Sequence, residues 1–220
     1  MNLANVADHA VMSSAMQEPT PVVFVVDDDV SVRESLELLI QCAGWEPRVF
    51  ASAGEFLTQP RLDVPNCLIL DVSLPGLSGL ELQERTASDH KTMPIIFITG
   101  HGDIPMSVKA MKAGAIEFLT KPLDDNALLN AITLAINRSG AALGQEAETR
   151  ALKNRYDSLS GREKEVMALV VAGLMNKQVG GELGISEITV KAHRGRVMRK
   201  MEARTFADLV NMAAHLRGER

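Results

Sequence analysis

At 220 residues, with 46% hydrophobic and 23% charged residues, the chain is long enough for two modest domains and has an ordinary globular composition. No apolar run is long enough to span a bilayer, and residues 1–20 hold neither Lys nor Arg, so they read as a disordered tail rather than a secretory signal. The net charge of −5 hides an asymmetry: residues 1–137 carry 18 acids and 8 bases, whereas residues 138–220 carry 10 acids and 15 bases. The halves are therefore expected to meet different partners, with nucleic acid a candidate for the second.

In chain order, residues 22–137 alternate strand-like and helix-like blocks. The predicted strands are Val22–Val26, Glu46–Phe50, Cys67–Leu70, Pro94–Thr99 and Ala115–Leu119, and the predicted helices are Val30–Ala43, Gly54–Gln59, Gly79–Ser88, Ile104–Ala113 and Asn126–Asn137. VVFVV and CLIL are apolar throughout, as expected of parallel strands covered on both faces. Ser52–Glu55 and Ser78–Glu81 have capping-box spacing, and Gly44 and Gly114 stand where helices should end. Five such units predict an open, doubly wound parallel sheet with right-handed crossovers. Cys42 and Cys67 are far apart in apolar segments, and are expected to be free buried thiols in a reducing compartment.

Residues 139–156 read as an exposed helical linker, or a partly flexible one. Beyond it, Ser160–Glu163 is another capping box, opening a helix that Gly173 stops; Met175–Leu183, the turn Gly184–Ile185, a helix from the Ser186 cap to Met201, and a last helix from Thr205 complete a small all-α domain.

In an open α/β sheet, ligands bind beyond the carboxyl ends of the strands, near the point where strand order reverses. The first strand ends in Asp27, Asp28 and Asp29, the third in Asp71, the fourth in Thr99 and the fifth before Lys121. With a strand order of 2-1-3-4-5, the first and third strands are neighbours, and these groups share one rim. Carboxylates without His or Cys suit a hard cation held by oxygen, and an Asp beside Mg2+ can act as a nucleophile toward phosphorus. Lys121 can then pair with phosphoryl oxygens and Thr99 can hydrogen-bond one of them. For any single Asp the alternative is a helix cap, a role that suits Asp29.

In the second half, NKQVGGELGISEITVKAHRGRVMRKM has the punctuation of a helix-turn-helix. Val190, His193, Val197 and Met201 mark a buried stripe, with His193 expected to be buried and hydrogen-bonded. Lys191, Ala192, Gly195, Arg196 and Arg199 lie opposite, and Arg194 and Lys200 join them as candidate DNA contacts. Lys and Arg suit guanine or phosphate, and Ala suits a thymine methyl. Gly180 and Gly181 fall inside the preceding helix, where each costs about 1 kcal/mol relative to Ala.

The segments VVDDD, LILDVSLPGLSG, PIIFITGHGD and AMKAGAIEFLTKP, across residues 21–138, resemble the receiver domain of bacterial two-component response regulators. The resemblance implies a flavodoxin-like fold with Asp71 as phosphoacceptor. It implies Asp28 as a direct Mg2+ ligand, Asp27 acting through water, and Ser73 offering its backbone carbonyl, with Mn2+ able to substitute. Thr99, Lys121 and Phe118 match the switch hydroxyl, the lysine and the switch aromatic, and Lys121–Pro122 is usually cis there. Leu74 departs from the family pattern, which has Met. Asp71→phosphate would draw Thr99 inward and let Phe118 turn in, repacking Asp103–Phe118, where a dimer could form.

Asp27-x-Asp29 also resembles, weakly, the opening of haloacid-dehalogenase-type phosphatases, a reading that leaves Asp71 without a role. Residues 157–220 resemble the LuxR-type, GerE-like four-helix DNA-binding domain through LSGREKEVMALVVAGLMNKQVGGELGISEITVKAHR and VMRKM. Together the two resemblances imply the FixJ subgroup of response regulators. They imply a cytoplasmic, phosphorylation-activated transcriptional regulator, not an enzyme beyond Mg2+-dependent self-phosphorylation and autodephosphorylation. The implied partners are a sensor histidine kinase, promoter DNA, RNA polymerase and a second copy of the chain, with no membrane.

Overall fold

The computed structural model describes residues 19–89, 93–100 and 104–218; the anticipated tail up to residue 18, and Asp103 of the anticipated dimer surface, lie outside them. The chain divides into two compact units between Leu143 and Gly144. Among the described residues no helix is long and apolar enough to cross a membrane.

In the first unit, β1 (Val22–Val26), β2 (Glu46–Phe50), β3 (Asn66–Asp71), β4 (Ile95–Thr99) and β5 (Glu117–Thr120) form a parallel sheet in the order β2-β1-β3-β4-β5. Alternation explains the unbroken apolar runs. Val22, Phe24, Val26, Leu68, Leu70 and Phe97 face one layer, with Phe56 of α2 (Ala53–Leu57), Leu82 of α3 (Gly79–Asp89) and Ala110 of α4 (Ile104–Lys112). Val23, Val25, Ile69 and Ile96 face the other, with Leu36 and Ile40 of α1 (Val30–Cys42) and Leu128 and Ile132 of α5 (Asp125–Asp157). Both faces of the three central strands, β1, β3 and β4, are dry, so there a polar residue has a place only at a strand end. The register sets Val26 opposite Leu70 and Asp71 opposite Ile98, so the strands bearing Asp27 and Asp71 end level with one another.

Cys67 is buried, and burial pushes its thiol well above the ordinary value. Cys42 is exposed, contrary to expectation. It closes α1 on the side away from the stripe that Leu36 and Ile40 bury. Of the capping boxes, Ser78–Glu81 closes in both directions. Ser52 accepts from the Glu55 N–H, but the Glu55 carboxylate turns to the Ala51 N–H instead.

Helix α5 runs unbroken for 33 residues through the anticipated linker. Its first half buries Leu128, Ala131, Ile132, Ala135, Ile136 and Ser139, and the Ser139 hydroxyl accepts from the Asn66 N–H at 3.1 Å. Farther along, Leu152 and Tyr156 pack on the core of the second unit.

That core is enclosed by α6 (Gly161–Val171), α7 (Asn176–Leu183), α8 (Glu187–Lys200) and α9 (Phe206–Gly218). Gly184 ends α7 in the left-handed conformation (φ 65°), and Ser186 caps α8 by accepting from the Thr189 N–H. The two helical glycines differ in kind. A Cβ on Gly180 would stand 2.7 Å from the Ile185 carbonyl oxygen, so the close return of the turn requires glycine there. Gly181 has no atom within 4 Å of that point and carries its helical cost with no packing reason.

Glu163 ties the start of α6 to the end of α8. It accepts from the Ser160 N–H at 2.8 Å and from Lys200 Nζ at 2.7 Å, while almost fully buried. The Lys200 hydrogen bond, and then the Ser160 N–H, hold its carboxyl at about 2, below its ordinary value of 4.5. A depressed value stabilises the fold above pH 4.5, and that contribution is lost as pH falls toward 2. Glu163→Gln is expected to cost about 1–2 kcal/mol at neutral pH, the half-exposed Lys200 lowering the figure for a charged hydrogen bond. Thermal unfolding between pH 7 and 2 checks this, and the deficit should shrink below pH 4.5.

Candidate functional site

Parallel strands deliver four groups to one rim. Asp27 follows β1 and is fully buried, Asp28 beside it is exposed, Asp71 is the last residue of β3, and Lys121 follows β5. Lys121 Nζ lies 2.7 Å from Asp27 Oδ2 and 2.6 Å from Asp71 Oδ2, so one ammonium bridges two buried carboxylates. Asp27 Oδ1 also accepts from the Asp29 N–H at 2.9 Å, and Asp71 Oδ1 from the Ser73 N–H at 2.8 Å. Burial raises the Asp27 carboxyl above its ordinary value, outweighing the hydrogen bond from Lys121 that lowers it. Burial alone would lower Lys121, but its hydrogen bonds to Asp27 and Asp71 raise it.

Asp29 does take the separate role the sequence suggested for it. It is the N-cap of α1, accepting from the Ser31 N–H at 2.8 Å. Ligand oxygens of Asp27, Asp28 and Asp71 all lie within 4.8 Å of one another. Three hard oxygen donors, one of them open to solvent, fit a small divalent cation that keeps several waters.

Thr99 is buried at the end of β4, and its carbonyl accepts the Lys121 N–H at 2.8 Å, which holds the lysine against that strand. Lys121–Pro122 is cis. Phe118 is half-buried on β5, its ring 6.3 Å from that of Phe97, so it rests on the core rather than in it. Ser73 is exposed in the loop after Asp71, and its N–H is already committed to that carboxylate.

Two residues without a predicted role help build the site. A Cβ on Gly79 would lie 2.6 Å from the Asp71 carbonyl oxygen, 3.1 Å from Val72 Cα and 3.2 Å from Leu70 Cγ. Only glycine lets α3 begin against the strand end that carries Asp71. The signal was a glycine at a first helical position just after a good cap, within LILDVSLPGLSG. Arg33 reaches back from α1 to donate to the Asp27 carbonyl at 2.6 Å, a contact six residues away that no spacing rule exposes.

In the second unit, Lys191, Ala192, Gly195, Arg196 and Arg199 are exposed on α8, while Val190, Val197 and Met201 are buried. Arg194 is turned into the unit. It donates to Asn176 Oδ1 at 3.1 Å and lies 4.9 Å from the centre of the Phe206 ring. Lys200 is likewise engaged, with Glu163 and with the Ser158 carbonyl at 3.1 Å. His193 departs from expectation: it is half-buried rather than buried, and its Nδ1 is buried with no hydrogen-bond partner.

A parallel sheet bearing this rim, followed in the chain by a helix-turn-helix, defines a receiver joined to a DNA-binding output. Residues 23–133 match the response regulator receiver domain, and residues 157–213 match the luxR family of bacterial regulatory proteins. The chain belongs to the two-component response regulators of the FixJ/LuxR-type (NarL/FixJ) family. It is 52% identical to nodulation protein W of Bradyrhizobium diazoefficiens, over 89% of this chain and 86% of that protein. It is 43% identical to the response regulator protein TodT of Pseudomonas putida, over 92% of this chain and 89% of that one. The solved structure of the response regulator StyR is similar with a TM-score of 0.81 and 48% identity, covering 89% of this chain and 98% of that one.

Proposed function

We propose that Asp71 accepts a phosphoryl group from a sensor histidine kinase in the cytoplasm, and that its phosphorylation controls promoter binding by the second unit. The observation that carries this reading is the Lys121 ammonium set between Asp27 and Asp71. Its single positive charge offsets part of the repulsion between two buried carboxylates, and it stands where phosphoryl oxygens on Asp71 would develop. A carboxylate oxygen of Asp71 attacks phosphorus, the acyl phosphate bond forms, and the donor group leaves with the electron pair of the broken bond. Lys121 can then transfer its hydrogen bond from the carboxylate to the new phosphoryl oxygens.

Asp27, Asp28 and Asp71 would hold Mg2+, with Mn2+ able to replace it and the Ser73 carbonyl a further ligand. Held there, the ion would supply positive charge to offset that on the transferring group. Autodephosphorylation, the attack of water on the acyl phosphate, would use the same residues. Thr99 stands at this rim and Phe118 two residues back from it on the neighbouring strand, and their joint shift would carry the charge change to α4 and β5. Ile104, Val108 and Met111 expose 80%, 44% and 45% of their surface at helical spacing along α4, which supports dimerisation on that face. Lys191, Ala192, Gly195, Arg196 and Arg199 would enter the major groove, and RNA polymerase is the partner downstream.

Labelled acetyl phosphate with Mg2+ tests the assignment. The wild-type chain should take up close to one phosphate and bind DNA more tightly, and Asp71→Asn should do neither. Label retained by Asp71→Asn would refute it. The phosphatase alternative instead requires steady turnover that Asp27→Asn abolishes and Asp71→Asn spares.

A further inference from the structure

The outward face of α8 is apolar along its centre. At about 100° per residue, the line opposite the buried stripe passes through Ile188, Gly195 and Arg199, with Ala192 about 40° to one side and Lys191 about 60° to the other. Ile188 exposes 80% of its surface and takes no part in the core of its unit. A Cβ on Gly195 would meet no atom within 4 Å, so the backbone there is open to close approach.

The polar side chains of the first turn are engaged with one another. Ser186 Oγ accepts from the Thr189 N–H at 3.1 Å and shares a hydrogen bond with Thr189 Oγ1 at 2.8 Å. Glu187 pairs with Lys191 at 3.5 Å. Ile188 is therefore the large side chain that this turn offers to a partner, and the first turns of a recognition helix are the part that meets base edges. An apolar line with cations on its flanks and far end complements a major groove, where thymine methyls lie inside and phosphates lie along the edges.

We propose that Ile188, backed by Ala192, reads thymine through its 5-methyl group, so that Ile188 is a specificity-determining residue of the DNA-binding unit. This rests on the reading of α8 as the helix that enters the groove. The residue packs on nothing in the core, so its replacement leaves the fold intact and the test addresses recognition alone.

Full-length protein with acetyl phosphate and Mg2+ is used to select duplexes from a random pool. The selected sites should carry thymine at a fixed position. Replacing that thymine by deoxyuridine, which removes only the methyl group, should weaken wild-type binding by about fourfold, the worth of one buried carbon. Ile188→Ser should lose the preference and bind both duplexes equally, while Ile188→Val should keep most of it. The inference is overturned if Ile188→Ser selects the wild-type sites with the same preference, or if deoxyuridine at every thymine leaves wild-type affinity unchanged. Lost transcription with unchanged DNA selection would assign Ile188 to a protein contact and overturn it equally. A pool yielding no enriched sequence would overturn the groove-binding reading, and this inference with it.

Discussion

A single methyl group added at Gly79 is expected to slow phosphoryl uptake on Asp71 by about 100-fold, the loss that follows from misplacing a reacting group by about 1 Å. The added carbon would stand 2.6 Å from the Asp71 carbonyl oxygen, which belongs to backbone and has no rotamer through which to yield. Either α3 shifts away or the end of β3 does. The Gly79 N–H donates to the Val72 carbonyl at 3.1 Å, so any separation also strains that bond, and movement of the strand end takes the carboxylate off its line to Lys121. Overpacking of this kind also costs about 1–3 kcal/mol of stability. Stopped-flow phosphorylation of Gly79→Ala checks the first effect and thermal unfolding the second. Labelling at the wild-type rate would show that the strand end tolerates the displacement.

The strands and the acids at their ends were legible because they rest on local rules, whereas the order 2-1-3-4-5 was a supposition that the receiver resemblance supported. Unbroken apolar runs mark strands covered twice, and acids placed directly after such runs can lie only at strand ends. Asp29 was separable from Asp27 and Asp28 because a cap has its own local geometry. What was not legible depends on neighbours distant in the chain. Lys200 reads as a groove-facing cation until Glu163, 37 residues earlier, is placed beside it. Arg194 reads the same way until Asn176 and Phe206 enclose it. Gly180 and Gly181 are indistinguishable as letters, and only the return of Ile185 separates a required glycine from a costly one. Cys42 was expected to be buried from the apolar character of its segment, whereas its position around the helix decides its exposure.

Lys121→Met should reduce the rate of phosphorylation by acetyl phosphate by about 10- to 100-fold, the equivalent of one charge-assisted hydrogen bond of about 1.5–3 kcal/mol. The side chain is 22% exposed and its backbone is held by the Thr99 carbonyl, so the fold should survive the change. Two effects act together. The transferring group loses the cation that would meet its oxygens, and Asp27 loses the hydrogen bond that counters its burial. Lys121→Arg should recover only part of the rate, because a planar guanidinium does not replace a point charge bonded to two carboxylates at 2.6 and 2.7 Å. An unchanged rate in Lys121→Met would remove the lysine from the transfer step.

The engagement of Lys200 and Arg194 by groups of their own unit alters how the DNA-binding unit is expected to discriminate. Two cations that would otherwise displace condensed counterions from a duplex are already neutralised or stacked within the protein. The ionic share of association, which is blind to sequence, is smaller than the composition of α8 implies. A larger share then falls to groove shape and base edges, the part of the interaction that tells one promoter from another.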